Sequence, residues 1–160
     1  MGAPAASLPA YQPFIAERSD HLLLLLARSP EGRLRPAHLT RAAFILGREA
    51  KTDVGDAYYG FEPGDYGPAS PQIGDDLKAL NQRRLVLSTA SSLRNRDAEH
   101  VITKTGLARA DAFAQTMPTA FVAYADKLAQ WVAPLDFVAM CVSVLEKYPE
   151  YRQHTLFTQG

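Results

Sequence analysis

The chain has 160 residues, 47% of them hydrophobic, and its 17 basic side chains balance 17 acidic ones to a formal net charge of zero. That length holds one core-forming domain with short extensions, and the balance excludes a polybasic nucleic-acid tail, an acidic disordered chain and a polycationic membrane binder. A single cysteine, Cys141, excludes a disulfide framework and a cysteine zinc site, so a reducing, cytoplasmic location is expected.

Met1 to Pro13 carries three Pro and four Ala without a basic residue, so residues 1–16 read as a loose arm that lacks the basic start of a secretion signal. Ala6 stands where a myristoylation signal requires Ser or Thr. Ser19 is expected to cap a helix that opens with Asp20 and runs through Leu22–Leu26 to about Arg28. Its six consecutive apolar residues, Leu22 to Ala27, fall far short of a membrane span, which needs about 20. No membrane association follows. Ser29, Pro30 and Gly32 stop this helix. Pro36 suits the first position of a second one, with Leu39, Ala43 and Leu46 on one stripe and Ala42 and Ile45 widening it.

Residues 51–69 break the helical pattern, with four Gly, two Pro and four aromatics in no clear period. A loop of that length is functional or packed on itself. Ser70 is expected to cap a third helix with Pro71 at its first position and Ile73, Leu77 and Leu80 inward. From Leu85 the period changes to two. Leu85–Thr89 and His100–Thr103 read as strands around a polar segment carrying Arg94-Asn95-Arg96-Asp97, a hairpin with a charged tip.

Thr103-Lys104-Thr105-Gly106 opens a helix with Leu107, Ala110, Ala114 and Met117 on one face. Pro118 starts another with Phe121, Ala125, Leu128 and Val132 inward and Trp131 beside them. The last helix, Pro134 to about Tyr148, is apolar nearly all round. It is expected to be buried on all sides, within the fold or in a homodimer interface. Pro149 ends it.

The order helix, helix, helix, hairpin predicts a mainly α fold with a small β-hairpin: a winged helix-turn-helix core over 17–105, C-terminal helices over 106–152 on the core or at a dimer interface, and a tail over 153–160. The Thr103–Gly106 segment resembles the strand-to-helix junction that follows the wing in many bacterial winged-helix regulators. Three further segments, Tyr58-Tyr59-Gly60-Phe61, Tyr66-Gly67-Pro68-Ala69-Ser70 leading into a helix, and Glu146-Lys147-Tyr148-Pro149-Glu150-Tyr151, carry a narrower likeness. Over roughly residues 19–152 the chain resembles the YwgA-like proteins and the Panacea (SocA-like antitoxin) superfamily. The resemblance implies a small bacterial, non-enzymatic module, with some relatives acting as antitoxins or proteolytic adaptors. It supplies no catalytic residue.

In a winged helix the third helix enters the major groove and the wing reaches phosphate. Here that helix offers Lys78 for phosphate or guanine and Asn81 and Gln82 for adenine edges. Asp75 and Asp76 on the same helix oppose phosphate. The wing offers Arg94 and Arg96, with Arg83 and Arg84 at its base and Arg33, Arg35 and Arg41 as further backbone contacts. Against this stands ordinary surface arginine, in a chain with 12 Arg and 5 Lys. Tyr58, Tyr59, Phe61 and Tyr66 either staple their loop to the core or present a partner-binding surface.

Enzyme chemistry finds no foothold. His21, His38, His100 and His154 lack metal-ligand spacing, Cys141 lies in the most apolar helix, and Gly60, Gly64 and Gly67 do not form a phosphate loop. Asp75 and Asp76 diverge by about 100° on a helix, which is wrong for a shared acid and base site. No catalytic residue, metal or cofactor is therefore expected. Two functions remain: a regulator binding double-stranded DNA, or an antitoxin- or adaptor-type module binding a protein through its acidic aromatic loop. The charge supports both, because it is segregated: +4 over residues 18–51, −6 over 52–76 and +5 over 77–109.

Overall fold

Residues 13–89 and 98–155 are described in the computed structural model. Most of the arm, the tip of the hairpin and the last five residues lie outside them.

The five leucines form the centre of helix α1 (Asp20–Arg28), and Leu22 to Leu26 are each 0% exposed. A helix apolar on every side needs cover on every side, and the helices Pro36–Glu49, Lys104–Thr116 and Thr119–Val132 supply it. Ser19 occupies the N-cap position but has helical dihedrals, φ −67° and ψ −14°, and makes no capping bond. The first-turn N–H groups of Asp20, His21 and Leu22 bond instead to the carbonyls of Glu17, Arg18 and Ser19, and the Asp20 carboxylate accepts the Glu17 N–H just ahead of the helix at 2.7 Å. After a short 3-10 turn (Pro30–Gly32), Arg33–Leu34 forms strand β1. Two residues are too few to show a period. The strand exists because Arg33 and Leu34 pair with Val101 and His100.

Helix α2 (Pro36–Glu49) begins on its proline as expected and buries Leu39, Ala42, Ala43, Phe44, Ile45 and Leu46. The stretch read as an aperiodic loop holds a short helix α3 (Lys51–Val54) and a hairpin, β2 (Glu62–Gly64) with β3 (Gly67–Ala69), in register Glu62↔Ala69. Three-residue strands containing Pro63 and Pro68 carry no alternation to read. The Phe44 ring anchors the neighbourhood. Phe61, Tyr148 and Tyr151 meet it edge-on at 5.2, 4.9 and 5.0 Å, a favoured aromatic geometry.

Helix α4 (Pro71–Gln82) buries Ile73, Leu77 and Leu80, the expected stripe, although the Ser70 hydroxyl does not cap it. It ends with Arg84 left-handed at φ 60°, while Leu85 N–H reaches Leu80 O and Arg84 N–H reaches Asn81 O, each at 3.0 Å. This is the hydrogen-bond pattern that usually places glycine at the left-handed position. Relief of the Cβ strain makes Arg84→Gly stabilising by about 1 kcal/mol, read as a higher urea midpoint at unchanged slope.

Strands β4 (Val86–Thr89) and β5 (Glu99–Ile102) pair antiparallel, and the sheet order is β1-β5-β4. Thr103 then caps α5 (Lys104–Thr116), its Oγ1 accepting the Gly106 N–H at 3.0 Å. The inward face of α5 is Gly106, Ala110 and Phe113, with Leu107 39% exposed. The expected face was therefore rotated, because a glycine carries no hydrophobic signal even where it marks the closest approach. Helix α6 (Thr119–Val132) buries Phe121, Ala125, Leu128 and Val132 as expected.

Helix α7 (Phe137–Lys147) starts later than expected, capped by Asp136, whose Oδ1 accepts the Ala139 N–H at 2.7 Å. It buries one face only, Met140, Cys141, Val144 and Leu145. Val138 is 55% exposed and Val142 lies on the same outer side. Burial all round is thus not met within this chain. Residues Pro149–His154 form a closing 3-10 turn. Among the described residues no helix is long and apolar enough to cross a membrane.

Candidate interaction groove

The first turns of α2, the β2–β3 hairpin, α4 and the edge of the three-stranded sheet do not close on one another. Between them runs an open groove of about 880 Å³. Its walls are largely apolar, from Ala37, Ile73 and Leu77 to Phe137 at the start of α7, while Glu62 and Asp65 stand on the hairpin side and Lys78 on α4. Tyr66, 44% exposed, leans edge-on against Phe137 at 5.4 Å. Asp53, Asp56 and Asp75, from the acidic block over 52–76, are also exposed but do not line the groove, whose carboxylates are Glu62 and Asp65; Asp56 borders a separate cavity with Arg48 and Lys51.

The other three aromatics of that block point inward. Tyr58 donates to Ala43 O at 2.6 Å, tying the loop to α2, and Phe61 packs on Phe44. Tyr59 is buried and donates to Asp76 Oδ2 at 2.6 Å, while Arg18 grips both oxygens of Asp76 at 3.0 Å and lies 4.7 Å over the Tyr59 ring. Burial pulls the Asp76 carboxyl upward, but the hydrogen bonds from Arg18 and Tyr59 outweigh it and hold the group below its ordinary value. Burial pushes the Tyr58 and Tyr59 phenols well above theirs. Of the four partner candidates, only Tyr66 faces the groove.

The DNA-contact candidates are scattered. Arg94 and Arg96 lie outside the described residues. Arg83 donates to Glu17 at 2.9 Å and Arg33 to Glu99 at 3.2 Å. Lys78, Gln82, Arg84 and Arg35 are exposed. Asn81 is a clip between α4 and β4: its Nδ2 donates to Leu77 O and Ser88 Oγ at 2.8 and 2.7 Å, and its Oδ1 accepts the Ser88 N–H at 2.8 Å. An amide so engaged has no bidentate face left for adenine. Arg41 is no surface contact at all. It is buried and braces the hairpin, its Nη atoms donating to Pro68 O at 3.0 Å and Tyr66 O at 2.7 Å.

Burial disfavours the charged form of Arg41, and it pushes the neighbouring Cys141 thiol up even as Arg41 pulls it the other way. The sequence offers Arg41 as a surface contact, although a signal of its burial is there: Ala37 and Ile45 stand four residues to either side on α2. Ser70, also buried on the groove, was read only as a cap.

The histidines are taken up separately. His21 Nδ1 and His38 Nε2 bond to Arg18 O and Leu135 O at 3.0 and 2.7 Å, and His100 Nδ1 shares a 2.6 Å bond with Ser88 Oγ. Burial lowers the pKa of all three. Among the described residues no three His, Cys, Asp or Glu gather as a metal site. Comparison with protein-family models, curated proteins and solved structures gives no match for the chain.

Proposed function

We propose that this protein is a winged-helix interaction module of the antitoxin or adaptor kind, and that its groove holds a basic, apolar segment of a protein partner. The winged-helix reading draws support from the sheet order β1-β5-β4, with α4 preceding the hairpin whose strands close the sheet. The observation that carries the function is the groove: about 880 Å³ with apolar walls and with Glu62 and Asp65 on its hairpin side, which match lysine or arginine on the occupant. Interfaces are anchored by apolar groups in pockets and steered by complementary charge at the rim.

A second reading, double-stranded DNA, is favoured by Lys78, Gln82 and Arg84 standing exposed on α4 and its exit beside the wing strands. It is the weaker one, since Asp75 and the acidic hairpin flank the half of α4 that would meet the phosphates.

The test is fluorescence anisotropy of the full chain with a short alternating lysine–leucine peptide, its glutamate–leucine counterpart and a DNA duplex. The basic peptide is expected to bind about tenfold tighter than the acidic one, a difference of about 1.4 kcal/mol. Gly74→Trp tests the location, because a Cβ at Gly74 meets nothing within 4 Å and the ring would enter the groove. It should abolish binding without unfolding the chain. Equal affinity for the two peptides, or for Gly74→Trp and the parent, refutes this reading. Tight DNA binding with a steep salt dependence that flattens in Arg94→Ala/Arg96→Ala would establish the second.

A further inference from the structure

A second opening, a cleft of about 260 Å³ that shares no residue with the groove, is lined by α6 and α7 together with Ile45 of α2. Helical spacing builds its walls. Tyr124, Lys127, Leu128 and Trp131 stand at i, i+3, i+4 and i+7 along α6, and Ser143, Val144 and Lys147 share one side of α7. Ile45, Leu128 and Val144 are each 5% exposed or less and make an apolar floor, whereas Trp131 stays 43% exposed. The indole is thus a wall of the cleft and no member of the core.

Charge around the cleft is uneven. Arg48, 5.0 Å over the Tyr148 ring, is met by Glu150 at 2.7 Å, and Lys147 by Glu49 at 3.7 Å. Glu49 is engaged further by the Tyr148 hydroxyl, which donates to it. Among the described residues Lys127 forms no ion pair. Its neighbours three and four residues along α6 are Ala123, Tyr124, Gln130 and Trp131, none of them acidic. Asp126 projects about 100° away round the helix. Lys127 is itself exposed, so its ammonium is within reach of a ligand arriving from water.

We infer that this cleft binds a small aromatic monoanion, a ring bearing one carboxylate, independently of the groove and of whatever the groove holds. The ring packs on Trp131 and Tyr124 over the apolar floor, in the offset or edge-on contacts that aromatic pairs favour, and the carboxylate meets the Lys127 ammonium. Size fits, because a cavity of about 150 Å³ already holds a benzene ring and the remainder takes a short linker and the carboxylate. Charge selects the sign and the number. Two carboxylates already match Arg48 and Lys147, so one further negative charge completes the balance and a dianion exceeds it. A cation, which aromatic walls alone would also attract, is opposed by both lysines of the lining.

Trp131 is the only tryptophan in the chain, so its fluorescence reports on this cleft without a label. Phenylacetate, phenylacetamide and phenethylamine, titrated into the full chain at constant ionic strength, present one ring with a negative, a neutral and a positive group. Phenylacetate is expected to change the Trp131 emission along a saturable curve, with the amide binding about tenfold more weakly and the amine more weakly still. Lys127→Gln, at an exposed position, should bring the acid down to the level of the amide. Lys127→Glu should reverse the order, so that the amine binds best. Lys78→Gln, on the separate groove, should bind phenylacetate as the parent does.

Equal binding of acid and amide, an acid that binds Lys127→Glu undiminished, or no saturable response to any probe overturns the inference. So does a shift of the Trp131 emission with protein concentration alone, matched by a dimer in sedimentation, because a second copy then covers the cleft. None of these outcomes involves the lysine–leucine peptide, so failure here leaves the groove reading standing and failure there leaves this one.

Discussion

Asp20→Ala is expected to lower the free energy of unfolding by about 3 kcal/mol, the scale of breaking one side of a buried, hydrogen-bonded ion pair. The carboxylate is 0% exposed and accepts three bonds: Glu17 N–H at 2.7 Å, Arg109 Nε at 2.7 Å and Arg109 Nη2 at 3.0 Å. These join the start of α1 to α5, two elements 89 residues apart. Truncation leaves the Glu17 amide without its acceptor and Arg109, itself 22% exposed, with Glu17 Oε2 at 3.0 Å as its remaining carboxylate and Ile15 O at 3.3 Å. Asp20→Asn keeps the shape and loses the charge, so it should cost about half as much. Urea unfolding followed by circular dichroism measures both. A loss below about 1 kcal/mol for Asp20→Ala would place the pair with ordinary surface bridges.

Gly106→Ala is expected to be equally costly, about 3 kcal/mol or more, against the sense of helix propensity, which favours alanine by about 1 kcal/mol. An added Cβ would lie 2.2 Å from Leu85 O and 2.7 Å from Ile102 Cγ1. The carbonyl cannot step aside freely. It also accepts the Thr103 N–H and the Thr103 hydroxyl, each at 3.1 Å, so α5 must lift from the sheet and strain the junction that holds β5 to the helix. Gly74→Ala is the control. It lies in a helix interior with open space around its Cβ, and propensity alone then predicts a gain of about 1 kcal/mol. Thermal unfolding of the two variants should move in opposite directions. A stabilised Gly106→Ala would mean that the helix does not sit this closely on the sheet.

The readable parts of the chain share one property, which is that their signal lies within a turn or two of sequence. The leucine run of α1, the Ile73-Leu77-Leu80 stripe of α4 and the Phe121-Ala125-Leu128-Val132 stripe of α6 are all buried as expected, because apolar spacing marks a face wherever the segment docks. Strand β1 and the β2–β3 hairpin escaped notice for the opposite reason. They are two or three residues long, and their pairing partners, not their own composition, make them strands. The α5 face was turned toward Leu107 because a contact made through the bare backbone of Gly106 has no side chain to announce it.

The groove was legible only in outline. The aromatic, acidic stretch 52–76 drew attention as a partner surface, yet three of its four aromatics serve the core, and the groove takes as much from α2 and α4 as from that stretch. Asn81 and Arg41 show why surface chemistry is hard to read from residue type. Both carry donors suited to nucleic acid, but Asn81 is spent on Ser88 and Arg41 on the carbonyls of Tyr66 and Pro68.

By itself, the sequence determined the long helices, the two main strands and the segregation of charge into blocks, since periodicity and composition are properties of neighbouring residues. Only the tertiary structure decided which charges are matched. Arg18 finds Asp76 across 58 residues and Arg109 finds Asp20 across 89, while Arg41 is carried inside on the same stripe as Ile45 and forms no ion pair with a carboxylate among the described residues. Whether a charge is neutralised depends on what the fold brings within a few ångströms of it, and that distance is not written in the order of the residues.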